Sequence, residues 1–146
     1  MPNEEHSSEV EVREEIKRPE KRESSEAKAV LCAREAAYLK AQELVLLDVS
    51  TLTSFADYFV ICTGKSSRQV QGIADNLETS LGEHGFKPLG VEGRREGHWV
   101  LMDYGDVIIH IFYEPVRYFY DLESLWADAK RVRWEERIEV PNPEMG

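Results

Sequence analysis

Long hydrophobic runs are missing from this chain: no apolar stretch approaches the roughly 18 residues that a membrane-spanning helix needs. Cysteine is nearly missing too. Cys32 and Cys62 are the only two in 146 residues, and they lack CxxC or ligand-like spacing. That excludes a disulfide framework and a zinc site, and leaves two small thiols in a reducing compartment. Base is scarce beside acid, 18 Lys and Arg against 28 Asp and Glu, a net charge of −10. A general nucleic-acid binder needs a clustered basic face, so direct DNA binding is not expected. The first residues hold neither an apolar h-region nor an Arg-rich, acid-poor helix, so they read as neither a signal nor a transit peptide. The expectation is a cytoplasmic protein that keeps off membranes.

What is present is enough for one folded domain. Hydrophobic residues make up 42% and aromatics 10% of the chain, a composition that can bury a core. The acid is spread unevenly. Residues 1–26 carry nine acids and five bases with almost no large apolar side chain. Such a segment cannot offset the entropy of ordering, so a disordered acidic tail is expected there. Residues 131–146, with Pro141 and Pro143, are expected to form a flexible C-terminal extension. The domain is placed at 27–130.

Within 27–130 the pattern alternates. Residues 25–41 are Ala-rich and free of Gly and Pro, with Val30, Ala33, Ala37 and Ala41 at helical spacing. Residues 44–49 (LVLLDV) and 57–62 (DYFVIC) are apolar runs of strand length. Ser66 and Gln69 have capping-box spacing ahead of a stripe of Val70, Ile73, Leu77 and Leu81, and Gly85 is placed to stop that helix. Residues 86–91, interrupted by Pro88, predict an edge or bulged third strand. Residues 98–103 and 106–112 predict strands four and five, and Pro115 opens a terminal helical segment holding Leu122, Leu125 and Trp126. The order predicts an α/β fold of α+β character: a mixed sheet of about five strands with helices mainly on one face.

Only Tyr104 and Gly105 separate strands four and five, which predicts a two-residue hairpin turn. In that register Asp103 opposes Asp106, Leu101 opposes Ile108, and Trp99 opposes His110. Alternation then puts Val100, Met102, Val107, Ile109 and Ile111 on a core face. The other face carries Trp99, Leu101, Asp103, Asp106, Ile108, His110 and Phe112. Opposed carboxylates repel each other, and a cationic partner would reverse the sign. Large apolar bodies beside them supply the dry centre that a protein interface needs. The plainer alternative is that the terminal helix covers this face and the acids sit in a solvated turn. The pattern alone leaves both open.

Catalytic patterns fare poorly. Gly64-Lys65-Ser66 matches the end of a phosphate-binding P-loop, but Phe59 stands where the first Gly belongs. His84, His98 and His110 form no HxH or HExxH arrangement. Asp103 and Asp106 as a metal pair lack further carboxylates at close spacing. An enzyme reading therefore survives only as an alternative, and no cofactor is expected.

Read together, these motifs resemble those of the ribosomal silencing factor family, also called RsfS or Iojap. The resemblance runs through Asp48-Val49, DYFVICTG at 57–64, Ser66 to Val70, Gly90-Val91-Glu92-Gly93, WVLMD at 99–103, GDVIIH at 105–110, and YDLESLW at 120–126. It covers roughly residues 35–126 in order, and leaves out both tails. The resemblance implies a non-catalytic protein, homodimeric when free, with a topology like that of nucleotidyltransferases. It implies binding to protein L-fourteen on the large ribosomal subunit, which blocks joining of the small subunit and represses translation when nutrients are scarce. Partner-binding residues would then be Trp99, Leu101, Asp103, Tyr104, Asp106 and His110. The alternative is a nucleotidyltransferase-like, metal-dependent enzyme using Asp103 and Asp106.

Overall fold

Helix α1 (Pro19–Tyr38) leads into strands β1 (Gln42–Asp48) and β2 (Tyr58–Gly64), helix α2 (Ser67–Glu83), and strands β3 (Gly90–Glu92), β4 (Trp99–Asp103) and β5 (Val107–Tyr113). Two short helices, α3 (Glu114–Tyr120) and α4 (Leu122–Leu125), and a two-residue strand β6 (Lys130–Arg131) complete the order. The structure is a computed structural model that describes residues 19–135, with side chains from residue 24 onward. Of the tails expected at 1–26 and 131–146, residues 1–18 and 136–146 lie outside the described residues.

The two main helices end as their sequences dictate. Ser66 caps α2 by accepting from the Gln69 backbone N–H at 3.0 Å, while Gln69 Oε1 accepts from the Lys65 N–H at 2.6 Å. At its far end Gly85, with φ +90°, turns the chain so that the Phe86 N–H reaches the Leu81 carbonyl. This is a Schellman closure. Helix α1 closes the same way, with Lys40 (φ 69°) in the left-handed position and Ala41 N–H bonded to the Ala36 carbonyl.

The sheet has six strands in the order β3-β4-β5-β2-β1-β6, one more than the five expected. Only the central pair, β2 with β5, is parallel; the other pairings are antiparallel. Helices α1 and α2 cover one face through Ala29, Cys32, Ala36, Val70, Leu77 and Leu81, against Val60, Val100, Met102 and Ile109. Small residues on α1 let that helix lie close to the sheet. Both cysteines are free and buried in this layer. The opposite face holds a second, smaller core of Leu47, Phe59, Ile61, Ile108 and Phe112 under Leu122 and Trp126.

Four expected boundaries shift. The third strand, expected at 86–91, runs over Gly90–Glu92. Helix α1 starts at Pro19 and Ser25 is buried, so ordered structure reaches into the segment expected as tail. Past residue 130, Val132 and Trp134 pack on the main core, and the Val132 N–H bonds to the Leu46 carbonyl. The single terminal helix is two pieces, broken at Asp121 (φ 49°).

Candidate docking face

The β4–β5 hairpin turns one residue later than the sequence implied. Asp103 pairs with Ile108, Leu101 with His110 and Trp99 with Phe112, and the Tyr104 N–H bonds to the Val107 carbonyl at 2.9 Å. The two turn residues are Gly105 and Asp106. Gly105 has φ +89°, the sign that hairpin turns of this length require at their first central position, and its N–H is received by Asp103 Oδ1 at 2.8 Å. The register is thus two residues off the expected one. An even shift keeps every strand residue on its face, so the division into a core row and a mixed row holds while the pairings change.

Asp106 leaves the mixed face altogether. As a turn residue it escapes strand alternation, and its carboxylate points to α1. There Lys28 Nζ lies 2.8 Å from Oδ1 and donates also to the Tyr104 carbonyl at 2.7 Å. The Ser25 hydroxyl donates to Asp106 Oδ2 at 2.5 Å and lies 3.3 Å from Oδ2 of Asp57. Burial pushes the Asp106 carboxyl up, but the Lys28 and Ser25 hydrogen bonds and the Lys28 charge outweigh it and hold it below the ordinary carboxylate range. Asp103 and Asp106 are therefore committed to different partners and do not oppose one another. Among the described residues no group of three or more His, Cys, Asp and Glu could hold a metal ion.

The other site residues divide by depth. Trp99, Leu101 and Asp103 are half-buried, with surface to present. Tyr104 is enclosed in the α1 and α2 core, where burial raises its phenol. His110 is enclosed on the opposite side. Burial pushes its imidazole down to about 4, and its Nδ1 accepts from the Trp99 indole N–H at 3.1 Å. Neither Tyr104 nor His110 reaches the surface.

Trp99 is held from three sides. Its ring packs 4.8 Å from Phe112 and 5.0 Å from Tyr120, centroid to centroid. The loop before it, 93–97, is tied to α2 by Gln71, whose Nε2 donates to the Arg94 and Arg95 carbonyls at 3.0 and 2.8 Å. Arg94 adds ion pairs to Asp75 and Glu78. Gly93 starts this loop at φ +84°, and a Cβ there would stand 2.0 Å from the Trp99 carbonyl oxygen. Gly93→Ala is expected to lower stability by about 2 kcal/mol through strain at positive φ and displacement of β4. Urea unfolding at neutral pH measures it, and a change near zero would contradict this packing.

Beside Trp99 lies an open groove of about 500 Å³ bordered by Glu96, His98, Val116, Phe119 and Tyr120. Phe119 is 80% exposed and Leu125 76%. On the same side of the sheet the exposed Phe55 ring lies 6.1 Å from that of Trp126 and 6.2 Å from that of Phe59. Sequence reasoning missed Phe119 and Tyr120. A signal was there: successive helix residues are set about 100° apart, so Tyr118, Phe119 and Tyr120 cannot share one buried stripe.

Fold and site together define a mixed-sheet α+β protein that presents aromatic side chains on one side of its sheet, apart from its main core. Residues 22–145 match the family described as ribosomal silencing factor during starvation, and the chain belongs to that family. The family is a regulatory one, acting on the ribosome and so on translation. Among relatives, the ribosomal silencing factor RsfS of Halalkalibacterium halodurans is 42% identical over 96 residues, 66% of this chain and 82% of that one. The mouse protein named mitochondrial assembly of ribosomal large subunit protein 1 is 28% identical over 91 residues, covering 60% of this chain and 40% of that one. A crystal structure from Chromobacterium violaceum has a TM-score of 0.68 and 36% identity, covering 70% of this chain and 85% of that one. No helix among the described residues is long and apolar enough to cross a membrane.

Proposed function

We propose that this protein silences the large ribosomal subunit by docking its aromatic strip on protein L-fourteen, so that the small subunit can no longer join. The observation that carries this reading is the aromatic strip in which half-buried Trp99 packs on exposed Tyr120, and Tyr120 on exposed Phe119, on the sheet face away from α1 and α2. Exposed apolar area of this kind marks an interaction site, and large aromatics anchor interfaces. Asp103 at the hairpin and a net charge of −10 suit a basic partner. The large-subunit name of the mouse relative supports the choice of subunit. Silencing needs no bond-making, because occupying the bridge site is sufficient, and the protein is proposed to act without catalysis in the cytoplasm. When free it is proposed to pair with a second copy of itself.

The footprint narrows from six residues to a smaller direct set. Trp99, Leu101 and Asp103 make contact, while Tyr104, Asp106 and His110 shape the hairpin from within. Trp99→Ala is expected to weaken binding to purified large subunits by about 2 kcal/mol, roughly thirtyfold. Asp103→Lys is expected to slow association and flatten its salt dependence. Co-sedimentation with and without excess small subunits reads both; unchanged binding by the two variants would remove this face from the interface.

A further inference from the structure

The register sets Trp99 opposite Phe112 and Leu101 opposite His110. Trp99 and His110 are thus diagonal neighbours on one face, within reach of long side chains. The contacts of the Trp99 ring with Phe112 and Tyr120 are apolar. Apolar packing restricts the ring's plane, but the indole torsion next to the ring is broad and roughly two-fold. A flipped indole would keep much of its stacking and present a different edge to the groove. One polar contact tells the two poses apart: the indole N–H donated to His110 Nδ1 at 3.1 Å.

That contact fixes the histidine tautomer. Nδ1 must keep its lone pair, so Nε2 carries the proton. Among the described residues Nε2 has no hydrogen-bond partner, although it is buried. Its ring lies edge-to-face against Phe59, with centroids 4.9 Å apart at 76°. A buried donor left without an acceptor is costly, and an apolar residue of similar shape would avoid the cost. Core packing therefore gives no reason for a histidine here. The bond to Trp99 does.

We propose that His110 is a positioning residue: it selects the pose of the Trp99 indole and so presets the docking face, without touching the partner. This rests on the docking reading above. Burial keeps the imidazole neutral near pH 7 and Nδ1 free to accept.

The test measures affinity for purified large subunits with the full chain. His110→Phe keeps the aromatic bulk and removes the acceptor, and is expected to lose about tenfold. His110→Asn returns an acceptor near the Nδ1 position and is expected to recover most of that loss. Trp99→Phe removes the donor instead. The double variant Trp99→Phe/His110→Phe is expected to bind no worse than Trp99→Phe alone, because one bond is lost only once. An independent readout is the indole N–H resonance of Trp99, identified by its disappearance in Trp99→Phe. It should exchange slowly in the unaltered protein and fast in His110→Phe.

Unaltered affinity in a folded His110→Phe overturns the proposal, as does additive loss in the double variant. Should His110→Phe fail to fold, Trp99→Phe at full affinity overturns it instead. Loss with Trp99→Ala but with neither conservative variant removes the positioning role alone. No loss even with Trp99→Ala removes the docking reading itself.

Discussion

Replacing Arg117 with methionine is expected to lower the unfolding free energy by about 3 kcal/mol or more. Arg117 is 5% exposed and sits on α3. Its Nη1 donates to the Glu43 carbonyl at 2.6 Å and to the Thr63 hydroxyl at 2.7 Å, and its Nη2 donates to Glu123 Oε2 at 2.7 Å. One guanidinium thus ties together β1 at the register shift between Gln42 and Val45, the end of β2, and α4. Methionine fills a similar volume but satisfies none of these acceptors, and Glu123 is left a half-buried carboxylate without its cation. The cost of breaking such a pair from one side exceeds what the pair adds in net stability. Thermal unfolding should show a midpoint about 10 °C lower, with the aromatic strip losing its support because α3 carries Phe119 and Tyr120. A drop under 1 kcal/mol would mean that the α3–α4 segment is held by apolar packing instead.

Acid is expected to act through His110. The folded imidazole is pushed by burial from 6.5 to about 4, while in the unfolded chain it returns to its ordinary value. Between those two values the unfolded state binds the extra proton, so stability falls as pH falls. The contribution is complete above pH 6.5, is lost progressively below it, and levels off near 4. Its full size is about 3 kcal/mol. The Asp106 carboxyl lies below the ordinary carboxylate range, so its contribution is lost only at still lower pH. Urea unfolding from pH 7 to pH 4 measures the slope, and His110→Phe should flatten it over that interval. Equal slopes in the two proteins would show that another group governs the acid response.

Much of this fold was legible because periodicity reports burial. The stripe of Val70, Ile73, Leu77 and Leu81 predicted a helix facing a core, and all four are buried on α2. The row Val100, Met102, Val107, Ile109 and Ile111 predicted the core face of the hairpin, and all five are buried beneath α1 and α2. Alternation, however, is blind to even shifts. Tyr104-Gly105 and Gly105-Asp106 both qualify as turns, and the choice falls to Tyr104, whose ring is buried in the core while its N–H closes the turn on Val107. The fate of Asp106 was illegible for another reason: its partners, Lys28 and Ser25, lie about eighty residues away in the chain. So too with His110, whose tautomer depends on a diagonal neighbour. The sixth strand, Lys130–Arg131, is two residues long and has no apolar pattern to announce it.

The order of the strands has a consequence for when the protein begins to act. Its central pairing joins residues 58–64 to residues 107–113, so the middle of the sheet stays open until nearly the whole domain has been synthesised. Pairing over such a separation forms slowly, because a long loop must close before any contact rewards it. Helix α1 is made early, yet its Lys28 and Ser25 have no Asp106 to hold until the hairpin appears. A growing chain therefore has no aromatic strip to show, and the proposed docking face is complete only when the domain is all but finished.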